Sequence, residues 1–206
     1  MTTLAAPVPP PLLLPAELRL TPEQFALVCQ ANPDAVLELS ASGQLISMTP
    51  TGGDTSARNS ALVFALQSYA KRTGRWKAFD SSGGFRLPDG SVLSPDASLV
   101  RVDRWRGLSP EQRRSFPPLC PDLVVELASP SDQEPRGISA LRRKMRSYIS
   151  NGAQLGWLLL PEEQAVEIWR GASPASEPER LSQVIQLDGS PLLPGFCLDL
   201  GEIWEA

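Results

Sequence analysis

Three acidic residues fall inside runs that read as β-strands, where a carboxylate facing a core is costly unless it is paired or binds a cation. They are Glu38 in Val36-Leu37-Glu38-Leu39-Ser40, Asp96 in Leu93-Ser94-Pro95-Asp96-Ala97-Ser98, and Glu126 in Asp122-Leu123-Val124-Val125-Glu126-Leu127-Ala128. Glu126 is the clearest case. Its neighbours Val124, Val125, Leu127 and Ala128 are apolar, so the strand is expected to be buried on both faces with Glu126 aimed into a cleft or at a partner. A cation is available on a later helix. At 100° per residue, Leu141, Met145 and Tyr148 share one face and Lys144 sits at its edge on the Tyr148 side, while Arg143 and Arg146 point away and Arg142 borders the other side.

Carboxylates from separate segments together with a lysine are the ingredients of a hard-cation phosphodiesterase site. Two acids and a main-chain carbonyl can hold Mg²⁺, which lowers the pKa of a bound water, and a lysine can orient that water or offset charge in the transition state. The chain of 206 residues has no histidine. That excludes Ser-His-Asp and Cys-His catalysis, His-containing zinc sites and His-metal nucleases, but leaves a carboxylate, metal and lysine site untouched. Each residue also has a plainer reading: Glu38 as a solvent-facing hairpin residue, Asp96 as a turn stabiliser after Pro95, Lys144 as a surface lysine. Pro121-Asp122 competes with Pro95-Asp96 for the first acid, because Asp122 shares a strand face with Glu126 at period two. Its place at a strand start favours a turn or cap role.

These residues need a scaffold. Thr21-Pro22-Glu23-Gln24 is a helix start with a capping box. Residues 35–40 and 44–48 flank Ala41-Ser42-Gly43 as a hairpin, and residues 55–72 follow as a helix with Gly74 at its C-cap. Strands are expected at 75–80, 84–87, 97–102, 122–128, 155–160 and 164–169, with helices at 109–115 and 138–150, and one strand, Val184-Ile185-Gln186-Leu187, in the Pro/Gly-rich remainder. The order predicts an α/β or α+β domain around one central sheet. Residues 1–20 read as a proline-rich extended arm before a single domain over 21–206. Trp76, Trp105, Trp157 and Trp169 read as core or sheet-face aromatics, and Gly52-Gly53 is too short to signal a phosphate-binding loop.

The formal net charge is −4, yet residues 58–146 carry 16 Lys/Arg against 9 Asp/Glu, and both ends are acidic. A solvated mixed surface or a local anion-binding face would both account for this. Cys29, Cys120 and Cys197 are widely spaced with no C-x-x-C pair, no run reaches the length of a membrane span, and residues 7–15 lack the basic flank of a signal peptide. The expectation is a cytoplasmic protein with no membrane partner.

The stretches LTPEQFALVCQAN, MTPTGGDTSARN, FDSSGGFRLPDGSVLSPDAS, CPDLVVELASPSD, KMRSYISNGAQLGWLLLP and LPGFCLDL together resemble the Uma2 family, also called DUF820, of the PD-(D/E)xK nuclease-like superfamily. The resemblance runs from about Leu20 to Trp204. It implies a restriction-endonuclease-like core, a central mixed sheet flanked by helices, with an added N-terminal helix and β-hairpin. It further implies a Mg²⁺-dependent endonuclease acting on DNA, with Mn²⁺ as a substitute ion and a homodimer as a compatible assembly. Asp96 and Glu126 would be the metal-binding acids, the Leu127 carbonyl a third ligand, Lys144 the helix lysine that replaces the one expected where Ala128 stands, and Glu38 a supporting acid. Many relatives carry a histidine in the stretch corresponding to 51–59, where this chain has Asp54 and Asn59. A catalytically inert nucleic-acid-binding or protein-interaction module on the same fold is the alternative, and a hydrolase of small phosphate esters a third reading.

Overall fold

A computed structural model describes residues 15, 17–48, 51–132, 135–171 and 177–205. Most of the expected proline-rich arm, residues 1–14 and 16, lies outside the described residues. The chain opens with α1 (Pro22–Ala31), whose capping box between Thr21 and Gln24 is formed on both sides. The hairpin follows as β1 (Val36–Leu39) and β2 (Leu45–Met48), then α2 (Gly53–Thr73), closed by Gly74 in the left-handed conformation. Next come β3 (Trp76–Asp80), β4 (Phe85–Arg86), β5 (Val92–Leu93), β6 (Ala97–Arg101), α3 (Val102–Arg106) and α4 (Pro110–Arg114). The remainder is β7 (Leu123–Leu127), α5 (Pro135–Ser150), β8 (Leu155–Leu160), β9 (Ala165–Arg170), β10 (Glu179–Ser182), β11 (Gln186–Asp188), β12 (Cys197–Asp199) and α6 (Gly201–Glu205).

The central sheet has six strands in the order β10-β9-β8-β7-β6-β3. It is mixed: β7 and β8 run parallel, joined by the crossover helix α5, and the other pairings are antiparallel. A second sheet, β2-β1-β5-β4, carries the hairpin, and β11 pairs with β12. The period-two alternation decides the layers. Leu123, Val125 and Leu127 of β7 join the core formed with Leu62, Leu66 and Tyr69 of α2 and Ile203 of α6. Val124 faces the opposite core, with Met145, Tyr148 and Ile149 of α5. Glu126 has the parity of Val124, so it looks toward α5.

Several expectations need correction. The strand expected at 97–102 stops at Arg101, whose N–H goes to the Asp122 carboxylate, and residues 102–106 turn into α3. The strand expected at 84–87 is two residues long and pairs with β5, an equally short strand that periodicity cannot detect; Asp89 closes the bend between them by accepting from Ser91. In the C-terminal segment the strand is Gln186–Asp188 rather than residues 184–187, and β10, β12 and α6 accompany it. Gly43 has φ +79°, and a side chain there would meet the Leu20 carbonyl at 2.8 Å, so the hairpin turn is open only to glycine.

Candidate active site

Glu38, Glu126 and Lys144 come from β1, β7 and α5 and meet at one point. The Lys144 ammonium lies 2.8 Å from Glu38 Oε1 and 2.9 Å from Glu126 Oε1, and donates to the Ser94 carbonyl at 2.9 Å. Glu38 is 3% exposed and Glu126 2%. Glu38 also accepts the Ser94 N–H at 2.7 Å, so Ser94 touches the cluster through both its main-chain groups. The Tyr148 hydroxyl, one helical turn after Lys144, donates to Glu126 at 3.1 Å. Arg143 and Arg146 are exposed, as the helical periodicity implies.

Asp96 joins from the start of β6. The register Ala97 to Val125, extended by one residue, sets Asp96 across from Glu126. Its carboxylate accepts the Leu127 N–H at 2.8 Å and the Asn59 amide at 3.4 Å. In a strand the N–H and C=O of one residue point to the same edge, which turns the Leu127 carbonyl toward Asp96 as well. Gly156 helps α5 approach: it lies opposite Val124, and a side chain there would meet the Met145 methyl at 2.4 Å, one residue beyond Lys144.

The charges explain one another. Burial pushes the Glu126 carboxyl up to about 8; Lys144 opposes this, and the repulsion of Asp96 and Glu38 adds to it. Burial likewise raises Asp96, against the pull of Lys144. Burial works against the Lys144 charge, but Glu126, Glu38 and Asp96 outweigh it and hold the ammonium above its usual range. Tyr148 is raised by burial and by the neighbouring carboxylates, so its hydroxyl stays a donor.

When all three are ionised, the carboxylates around one ammonium leave an excess of negative charge, which the metal-free protein relieves by keeping a proton on Glu126 up to about pH 8. Among the described residues no group of three or more His, Cys, Asp or Glu is arranged to hold a metal. The donor set that the family resemblance implies is smaller: Asp96, Glu126 and the Leu127 carbonyl. All are oxygens, two are acids facing each other across adjacent strands, and their charge exceeds what Lys144 can balance, which fits a hard divalent cation.

The shifted Glu126 carboxyl has a measurable consequence. Between the ordinary carboxylate range near 4.5 and about 8, the folded protein keeps a proton that the unfolded chain has lost. Stability of the metal-free protein therefore falls as pH rises through that window. The expected drop in Tm is on the order of 5 °C or more between pH 5 and pH 8.5. Glu126→Gln should flatten this slope; an unchanged slope in scanning calorimetry would place the titration elsewhere.

Asp122 is not in the cluster. Its side chain is buried and accepts from the Arg101 N–H, the Gln154 amide and Arg104, the last at 2.8 Å. It ties β7 to β6, α3 and the loop before β8. Asp122→Asn is expected to cost about 1–3 kcal/mol of stability while leaving the chemistry of the Asp96 cluster within a few-fold, measured by thermal melting and by turnover.

Glu167 escaped the sequence reading although it meets the same criterion as Glu126, an acid in an apolar strand. It is buried on β9 and satisfied by Arg142 of α5 and Arg180 of β10. The contacts of Ser94, Tyr148 and Asn59 also went unread, since main-chain and amide donors leave no signature in composition. Trp76, Trp157 and Trp169 are buried in the cores and Trp105 packs against one.

A mixed sheet with helices on both faces, its central strands carrying the acids, is the restriction-endonuclease-like class of α/β fold. The family model Uma2, described as "Putative restriction endonuclease", matches residues 22–201, and the chain belongs to that family. The fold is also similar to a crystal structure described as "a putative nuclease belonging to DUF820" from Anabaena variabilis ATCC 29413, with 21% identity, 90% of this chain and 97% of that one covered, and a TM-score of 0.70. No curated protein matches the chain. Among the described residues no helix is long and apolar enough to cross a membrane.

Proposed function

We propose that this protein is a Mg²⁺-dependent endonuclease that hydrolyses DNA phosphodiester bonds. The observation that carries this reading is the largely buried Lys144 side chain, its ammonium set between Glu38 and Glu126, with Asp96 beside them. Asp96, Glu126 and the Leu127 carbonyl would hold the ion, with Mn²⁺ as a substitute. A divalent ion in such a site supplies charge for the phosphate oxygens and acidity for a water. Lys144 is held charged, so its part is to donate: it orients the attacking water or offsets charge on the phosphate rather than taking a proton. Glu38 and the Ser94 carbonyl fix where that ammonium stands, and Tyr148 fixes one oxygen of Glu126. The family description and the nuclease-like fold support the same activity.

A second reading, an inert binding module on this fold, is favoured by one observation: the three donors of Lys144 are already taken by Glu38, Glu126 and Ser94. Metal-dependent cleavage of DNA by the wild type, compared with Asp96→Asn and Glu126→Gln, separates the two. Cleavage that needs the ion and both acids supports the nuclease; no cleavage with intact DNA binding supports the module.

A further inference from the structure

Among the described residues, Arg58 is a charge with no counter-ion to explain its burial. It is 8% exposed, its Nε is wholly buried without a hydrogen-bond partner, and among the described residues no carboxylate lies within ion-pair distance. An arginine held this deep with no counter-ion among the described residues costs stability, so one kept there, its fork reaching the surface, points to an anion that arrives from outside. Its position says where. Arg58 lies on the stripe of α2 that includes Thr55, Leu62 and Leu66, all buried. Helical side chains lean toward the N-terminus, which carries Arg58 back over the first turn.

That turn is itself open to an anion. α2 is 21 residues long and its N-cap, Gly52, offers no side-chain cap. The first N–H groups of a helix have no intrahelical partner and carry the positive end of the dipole. Among the described residues, apart from the adjoining chain, no atom lies within 4 Å of where a side chain would begin at Gly52 or Gly53. Asp54 in the same turn is exposed. The residue after Arg58, Asn59, donates to Asp96, and its own carbonyl oxygen is buried without a partner. The start of α2 therefore stands against the end of the sheet that bears the candidate acids.

We propose that the N-terminal turn of α2 and Arg58 form a phosphate site that seats a phosphodiester of the substrate strand beside Asp96. The proposal rests on the nuclease reading for the identity of its ligand. Helix N–H groups and a guanidinium are a complementary pair for phosphate oxygens, the first as a row of neutral donors and the second as a charged fork. The site reads no base, so it supplies affinity and register, not sequence preference.

The test is the salt dependence of oligonucleotide binding in the presence of chelator, where nothing is cut. Wild type and Arg58→Met are titrated with DNA and RNA duplexes of one sequence at several salt concentrations. Arg58→Met should bind about tenfold or more weakly and lose about one unit from the slope of log K against log salt. Its Tm should rise, because an uncompensated buried charge is gone. The stronger of the DNA and RNA arms names the sugar. An unchanged slope and affinity would overturn the proposal, as would a lowered Tm with affinity intact. If Arg58→Met does not fold, Arg58→Lys carries the test: it should keep the slope and lose affinity, and unchanged affinity would again overturn the site. Loss of cleavage in Asp96→Asn reports separately on the nuclease reading. Arg58-dependent binding by a wild type that never cuts would leave the phosphate site standing and sink the nuclease.

Discussion

Lys144→Met is expected to remove cleavage by about 10²–10³-fold or more and to destabilise the fold by about 3–5 kcal/mol, since it leaves buried carboxylates without their cation. The size of the effect follows from what Lys144 touches. Glu38 and Glu126 each lie within 3 Å of its ammonium, and Asp96 is stabilised by the same charge. Without it, those carboxyls are favoured only when protonated, so the stability deficit should shrink as pH falls. The double variant Lys144→Met with Glu126→Gln should recover a large part of the lost stability, because one buried charge goes with the other, yet recover no activity. Thermal melts and turnover measured together on the two single variants and the double one make the distinction. A Lys144→Met protein that is unstable but cleaves at the wild-type rate would make Lys144 a structural counter-ion only.

How much of this was legible in the sequence depends on the kind of contact. Glu126 could be singled out because a charge in Leu123-Val124-Val125-Glu126-Leu127 breaks a run that is otherwise buried on both faces, and Lys144 because its helix has a clear apolar stripe. Their meeting is implied by the family resemblance but cannot be read from periodicity. It depends on the parallel pairing of β7 with β8, which brings α5 back across the face that Glu126 occupies. Glu167 shows the limit of the same rule. It too interrupts an apolar strand, but Arg142 and Arg180 satisfy it, and only the distance between α5 and β9 tells a structural ion pair from a candidate catalytic one. In the sequence, a solvent-facing position for Glu38 on its hairpin is as readable as a buried one. It is buried because its hairpin folds over β5, placing its carboxylate on the Ser94 N–H. The short strand β5 and the helices α3 and α6 fall below the length at which periodicity has meaning, and β4 is shorter than the strand expected around it.

The second large effect concerns the acids themselves. Asp96→Asn keeps the shape of the side chain and one acceptor for the Leu127 N–H, so the fold should persist. It removes one of the two charges that would bind a divalent ion. Glu126→Gln removes the other and also relieves a carboxyl that burial has raised to about 8. Each should lower cleavage by about 10³-fold or more while leaving the melting temperature unchanged or higher. The two losses should not add, because a site that needs both acids is already lost when either is gone. A loss of activity accompanied by unfolding would carry no such meaning, which is why the amide variants are preferred to alanine.

The most direct measurement is cleavage of duplex DNA by the purified wild-type protein and by Asp96→Asn, with Mg²⁺ and with chelator, at pH 8.5 where Glu126 is largely ionised. Cutting is expected from the wild type with Mg²⁺, and none in chelator or from Asp96→Asn. Cleavage by Asp96→Asn at the wild-type rate would contradict the role given to Asp96.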